Sequence, residues 1–204
     1  MLTENKKKTF WDWTAGIYDF FEIFSQPYRQ MLHKVYELIP EGTSVLELAG
    51  GTGNISITVS KKAGSILCTD ISNNMLKVAN RKSKNLKNIA FAIEDIYNIS
   101  QTDNSFDIVI ASQVLHLLAK PEKACTQIKR VAKTMAILPI PLTKQTTIIG
   151  NFLLGLYKLF GYKASQELTL ETCKKFVEKI WFNDCKFHLI NGSVPICVAV
   201  WSKK

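Results

Sequence analysis

The chain has 204 residues, 47% hydrophobic and 21% charged, a composition that excludes disorder and a length that suits one well-buried core rather than two full domains. Its net charge of +9 raises nucleic acid as a partner, yet Arg29, Arg81 and Arg130 are the only arginines, and bidentate phosphate and base recognition draws on arginine. The lysines are spread out apart from Lys6 to Lys8 and Lys77 to Lys87, so a solvated basic surface is expected and no nucleic acid.

Taken in chain order, Trp11, Trp13, Ile17, Phe20, Phe21 and Phe24 recur near helical spacing and predict a first helix. After Ser25 and Pro27, the residues Tyr28, Met31, Leu32, Val35, Leu38 and Ile39 predict a second, ending before Pro40. From Ser44 strands alternate with helices. Ser44 to Leu48 reads as a strand, Gly50 to Gly53 as a sharp turn and Asn54 to Lys62 as a helix. Ser65 to Thr69 is a strand ending on Asp70, followed by a helix from Ser72, its N-cap, to Lys84. Ile89 to Ile93 and Phe106 to Ala111 are strands, Pro121 to Lys133 a helix and Met135 to Leu138 a fifth strand. Helices near Ile148 to Phe160 and Thr169 to Trp181 precede two strands, Lys186 to Ile190 and Ile196 to Trp201. The short Asn191-Gly192-Ser193 turn between them implies an antiparallel hairpin. Five parallel strands covered on both faces and finished by a hairpin are the expected architecture.

No stretch reaches the roughly 20 apolar residues of a membrane span, and the polar, lysine-rich start to Phe10 gives no expectation of a secretory signal. Cys68, Cys125, Cys173, Cys185 and Cys197 lack CxxC spacing; they read as reduced, packed thiols of a cytoplasmic protein, with no metal site.

The stretch Glu47-Leu48-Ala49-Gly50-Gly51-Thr52-Gly53-Asn54 carries the chemistry. A strand that ends in glycines and opens a helix lets backbone approach a ligand closely. The dinucleotide register fails, because Asn54 or Ser56 stands where its third glycine is needed, and no Gly-Lys-Ser/Thr marks a phosphate loop. What remains resembles motif I of the class I S-adenosylmethionine-dependent methyltransferases, acidic-x-Gly-x-Gly-x-Gly. Glu47 matches the acid, Gly51 and Gly53 the second and third glycines, and Ala49 departs from the first. Alanine is tolerated there if its backbone is not forced to positive φ.

The resemblance runs on through Asp70, where the family's acid takes the ribose hydroxyls, with Ile71 and Met75 flanking the adenine. Asp95, followed by Ile96, matches the acid that takes the adenine amino group. Phe106 to Ile110 and Ser112-Gln113-Val114-Leu115-His116 resemble motif IV and the helix after it, and Tyr18-Asp19 a lid motif. The resemblance implies an α/β, Rossmann-like doubly wound sheet of seven strands, mostly parallel, with helices on both faces. It implies a single domain: residues 1–40 a helical lid, 41–139 the cofactor-binding core, 140–183 insertion helices and 184–204 the hairpin. S-adenosylmethionine would be bound by Tyr18, Glu47, Ala49, Gly50, Gly51, Gly53, Asp70, Ile71, Met75, Asp95, Ile96, Ser112 and Gln113. One departure stands out: Arg130 to Ala136 lacks the family's glycine turn before strand five.

Because the sulfonium already activates the methyl group, the enzyme's task is alignment. Should a base be required, His116, after strand four, is the first candidate, ahead of His33 and His188. Trp11, Trp13 and Tyr18 are aromatic candidates beside a methyl sulfonium. The insertion is unusually apolar, with Ile140, Leu142, Ile148, Ile149, Phe152, Leu153, Leu156, Leu159 and Phe160. It reads as a lid over a small or lipid-like acceptor, or as a surface that touches membrane. The rival readings are a phospholipid N-methyltransferase and a cofactor-binding protein without turnover.

Overall fold

The structure, a computed structural model, describes residues 25–144, 146–159, 164–180 and 184–203. One sheet contains β1 (Ser44–Leu48), β2 (Ser65–Asp70), β3 (Ile89–Ile93), β4 (Phe106–Ala111), β5 (Ala132–Pro141), β6 (Lys186–Ile190) and β7 (Ile196–Ser202). Their order is β3-β2-β1-β4-β5-β7-β6. The first five pair in parallel, whereas β7 runs antiparallel to both β5 and β6. This is the seven-stranded doubly wound sheet expected from the sequence.

The helices are α1 (Gln26–Leu38), α2 (Asn54–Val59), α3 (Asn73–Lys82), α4 (Pro121–Val131), α5 (Ile148–Leu159) and α6 (Leu170–Lys179), with a 3-10 turn at Leu115–Leu117. Among the described residues no helix is long and apolar enough to cross a membrane. The expected first helix, with Trp11, Trp13 and Tyr18, lies outside the described residues.

The central strands are mostly apolar because both of their faces are covered. Alternate residues go to opposite sides. Val45, Ile108, Ile110, Ile137 and Val198 face one cluster with Met31 and Val35 of α1 and Val59 of α2. Leu46, Val109, Ala136, Leu138 and Ala199 face another, built on Ile128 and Val131 of α4 and Val177 of α6. Order reverses between β1 and β4, which opens a crevice at their carboxyl ends, where such sheets bind ligands. On the β2 side, Ser72 caps α3 as expected, accepting from the Met75 N–H at 3.2 Å.

Several boundaries differ from expectation. Helix α2 stops at Val59, three residues early, because the Lys62 and Ala63 N–H groups both fold back onto the Val59 carbonyl to turn the chain towards β2. Motif IV is followed by the short 3-10 turn rather than a full helix. Helix α4 ends at Val131 and β5 starts at the next residue, so the strand is much longer than Met135 to Leu138.

That direct junction explains the missing glycine turn. A helix end leaves carbonyls without partners, and a left-handed glycine commonly satisfies them. Here the Asn104 N–H donates to the Arg130 carbonyl at 2.9 Å. The Lys203 ammonium donates to the carbonyls of Lys129 (3.2 Å) and Ala132 (2.9 Å). Tertiary donors do the glycine's work.

Arg130 also fastens the long connection between β3 and β4. Its guanidinium donates to the carbonyls of Gln101 (2.7 Å) and Ile99 (2.8 Å) and to the Asp103 carboxylate (2.9 Å). Arg130→Ala is expected to lower unfolding free energy by roughly 1.5–3 kcal/mol, the worth of charge-assisted hydrogen bonds. Urea unfolding reads this directly, and a loss below about 0.5 kcal/mol would mean that water replaces the clamp.

Candidate active site

The turn after β1 is built by close approach. A side chain on Gly50 would bring its Cβ within 2.6 Å of Cys68 Sγ and 3.0 Å of Glu47 Cδ, so only glycine fits. Gly53 caps α2 at φ +77°, and a Cβ there would come within 2.9 Å of Ala79 Cβ. Gly51, at φ +55°, differs: a Cβ would meet nothing within 4 Å, because this residue faces open space. Its N–H donates to Asp70 Oδ2 at 2.9 Å.

Two carboxyl groups are nearly withdrawn from solvent beside this turn. Glu47 is 2% exposed and accepts from the Ser56 N–H at 3.0 Å and from the Ser56 hydroxyl. Burial pushes its carboxyl up to about 7 against the hydrogen bonds from Ser56, and neighbouring Asp70 adds to the rise. Asp70, 8% exposed, also accepts from the Ser72 N–H through Oδ1 at 2.8 Å. Asp95 lies exposed beyond β3, where Oδ1 accepts from the Tyr97 N–H at 2.9 Å.

These groups meet in one cavity of about 200 Å³ at the carboxyl ends of the strands. Four acids line it, Glu47, Asp70, Glu94 and Asp95, and among the described residues no lysine, arginine or histidine does. Ile71, Met75, Ile96, Leu117 and Leu118 supply apolar wall. The Ser112 hydroxyl, also in the wall, is buried without a hydrogen-bond partner. An orphaned hydroxyl of this kind in a cavity wall fits a site that a ligand completes.

The sequence profile described as "Methyltransferase domain" matches residues 39–189. The chain belongs to the methyltransferase domain family. A ubiquinone/menaquinone biosynthesis C-methyltransferase of Hydrogenovibrio crunogenus is 30% identical over 141 residues, 63% of this chain and 54% of that protein. Across the first such relatives the shared stretch is 38 to 54% of the relative's length, so the chain spans about half of them or less. A SAM-dependent methyltransferase of Thermotoga maritima superposes with a TM-score of 0.75 at 18% identity, covering 96% of this chain and 99% of that one. A magnesium protoporphyrin IX methyltransferase of Synechocystis with bound S-adenosylhomocysteine gives 0.66 at 17% identity, covering 87% and 84%. At such identities the two structures share the fold.

The methyltransferase domain brings Glu47, Ala49, Gly50, Gly51, Asp70, Ile71, Met75, Asp95, Ile96, Ser112 and Gln113 into the wall of one cavity. Gly53 stands behind the wall as the cap of α2, and Tyr18 lies outside the described residues. His116 does not join them. It is 1% exposed and absent from the lining, although Leu117 and Leu118 after it are present. The tight 3-10 turn sets successive side chains in different directions, and its carbonyl is held by the N–H groups of Ser165 (2.9 Å) and Gln166 (3.0 Å). A base must reach the proton it removes, and this ring does not line the cavity.

Tyr28, Asn54 and Tyr97 line the cavity without having stood out in the sequence. Tyr28 was hidden in the apolar stripe of α1, while Tyr97 sits two residues after Asp95 and was there to be read.

Ala49 overturns the assumption made for it. Its φ is +53°, in the left-handed region, and Gln113 across the crevice has φ +52°. Left-handed backbone costs an L residue roughly 1–2 kcal/mol, and such strain gathers at functional sites. Ala49→Gly is therefore expected to raise unfolding free energy by up to about 1 kcal/mol after the extra chain entropy of glycine is discounted. A thermal melt that falls would show that the alanine methyl contributes more than the strain costs.

Proposed function

We propose that this methyltransferase domain binds S-adenosylmethionine in the cavity and catalyses transfer of its methyl group to a small-molecule acceptor. The observation that carries the reading is the acidity of the wall: four carboxyl groups and no basic side chain among the described residues, in a chain of net charge +9. Such a wall suits a ligand with a sulfonium and an ammonium, and rejects polyphosphates.

The cofactor supplies an electrophilic methyl group, which leaves a neutral thioether behind when the acceptor's electron pair takes it. The chain's own residues hold and orient. Asp70 would accept from the ribose hydroxyls, Asp95 from the adenine amino group, and Glu47 from the cofactor's ammonium. Ile71, Met75, Ile96 and Leu117 would exclude water from the reacting centre. With His116 behind the wall, no base is assigned, and alignment is the main contribution.

The acceptor we favour is apolar. Ile148, Ile149 and Phe152 at the start of α5 are 89%, 67% and 67% exposed, which supports the insertion as a lid over such a molecule. The same patch favours the second reading, a phospholipid N-methyltransferase at a membrane surface; full recovery in the supernatant after sedimentation with anionic liposomes would count against it. A reducing, cytoplasmic setting suits the buried thiols.

Calorimetric titration with S-adenosylmethionine and S-adenosylhomocysteine tests the cofactor reading. Micromolar binding is expected, and no binding of either would refute it. Methyl transfer across a metabolite panel then separates an enzyme from a binding protein.

A further inference from the structure

Two aromatic rings stand in the described wall of the cavity, Tyr28 and Tyr97, and they belong to opposite halves of the sheet. Tyr97 follows β3 and keeps company with Asp95, Ile96 and Ala119. Its N–H is bound to Asp95, and its hydroxyl accepts from the Lys120 N–H at 3.3 Å. On the cofactor reading this would be the adenine end.

Tyr28 comes from α1, which packs against α2, β6 and β7, on the far side of β1 from β2 and β3. The residue is 7% exposed. Its hydroxyl accepts from Asn54 Nδ2 at 3.3 Å, and Asn54 Oδ1 in turn accepts from the Lys82 ammonium. A chain of three side chains thus ties α1 to α2 and α3 beside the glycine turn. The hydroxyl is engaged with Asn54, and the residue stands in the cavity wall. On the cofactor reading, with adenosine on Asp70 and Asp95, the part of the cofactor that would reach this half is its sulfonium and amino-acid end.

Resting on the cofactor reading above, we propose that the ring of Tyr28 contacts the sulfonium, and thereby lets the protein tell the cationic cofactor from its neutral demethylated product. The negative face of an aromatic ring attracts a desolvated cation, whereas a thioether of the same shape lacks the charge. The Asn54–Lys82 chain acts through Tyr28 and positions the ring.

The experiment is calorimetric titration of the full chain and its variants with S-adenosylmethionine and S-adenosylhomocysteine. Tyr28→Leu is expected to weaken the cationic ligand about tenfold more than the neutral one. Tyr28→Phe, which keeps the ring, should keep the wild-type ratio of the two affinities. Tyr97→Leu should weaken both ligands in proportion, since both carry the same adenosine. Because Tyr28 also packs in the core, a ring-fluorinated tyrosine at position 28 provides a measurement that leaves shape intact. Emptying the ring's negative face should then lower only the affinity for the cation. An unchanged ratio in Tyr28→Leu, or in the fluorinated protein, overturns the assignment. Failure of the wild type to bind either ligand refutes the cofactor reading itself.

Discussion

Asp70→Ala is expected to weaken binding of S-adenosylhomocysteine by roughly 1.5–3 kcal/mol, or about ten- to 150-fold, through the loss of two hydrogen bonds to a charged group. The carboxylate has a second task, and the substitution exposes it. Oδ2 holds the Gly51 N–H and Oδ1 the Ser72 N–H, at 2.9 and 2.8 Å. Removing both acceptors leaves two amides to find water beside a buried turn, so stability should fall as well, by about 1–3 kcal/mol. Measuring affinity and unfolding free energy on one variant separates the roles. Loss of both is the expected outcome. Loss of stability with affinity intact would make Asp70 a brace for the turn and place the ribose elsewhere.

Glu47→Gln should produce the largest change in how stability depends on pH. The carboxyl titrates near 7 in the folded protein against an ordinary value of 4.5, so the native state holds a proton that the unfolded chain releases between those values. Stability is therefore fully present below about pH 4.5 and declines as pH rises towards 7. At about 1.4 kcal/mol per pH unit, the decline is on the order of 3 kcal/mol for a group buried this deeply. Glutamine removes the titration while keeping an oxygen for the Ser56 N–H. Its urea midpoint should stay nearly level from pH 5 to 8 where the wild type falls, and parallel curves would show that Glu47 is charged throughout. A ligand ammonium would draw the proton off, so cofactor binding at pH 6 should release protons, measurable by calorimetry in buffers of different ionisation enthalpy.

The parts of the fold set by local chemistry were legible. Strands covered on both faces must be apolar at every position, and Val45 to Leu48 and Ile108 to Ala111 are so apart from Glu47. Ser72 declared its own cap, and the spacing of glycines declared the turn. What stayed hidden depends on residues distant in sequence. The start of β5 was misplaced because the end of α4 is closed by Asn104 and Lys203 instead of a neighbouring glycine. Ala49 gave no sign of its left-handed backbone, since an alanine suggests ease in a helix rather than strain in a turn. That His116 follows β4 was legible, whereas its absence from the cavity lining is decided within the 3-10 turn.

The place of β7 in the sheet has a consequence for how the chain reaches this state. β1 with β2 and β2 with β3 pair across a single helix in sequence, while β5 has its second edge closed by β7, with Lys203 meeting Ala132 across 71 residues. Closing so long a loop is entropically slow, whereas the β6–β7 hairpin is a local pairing. Until then Met135 to Pro141 presents an open, apolar strand edge. That edge is where self-association competes with folding, and hairpin docking is the step that ends the competition.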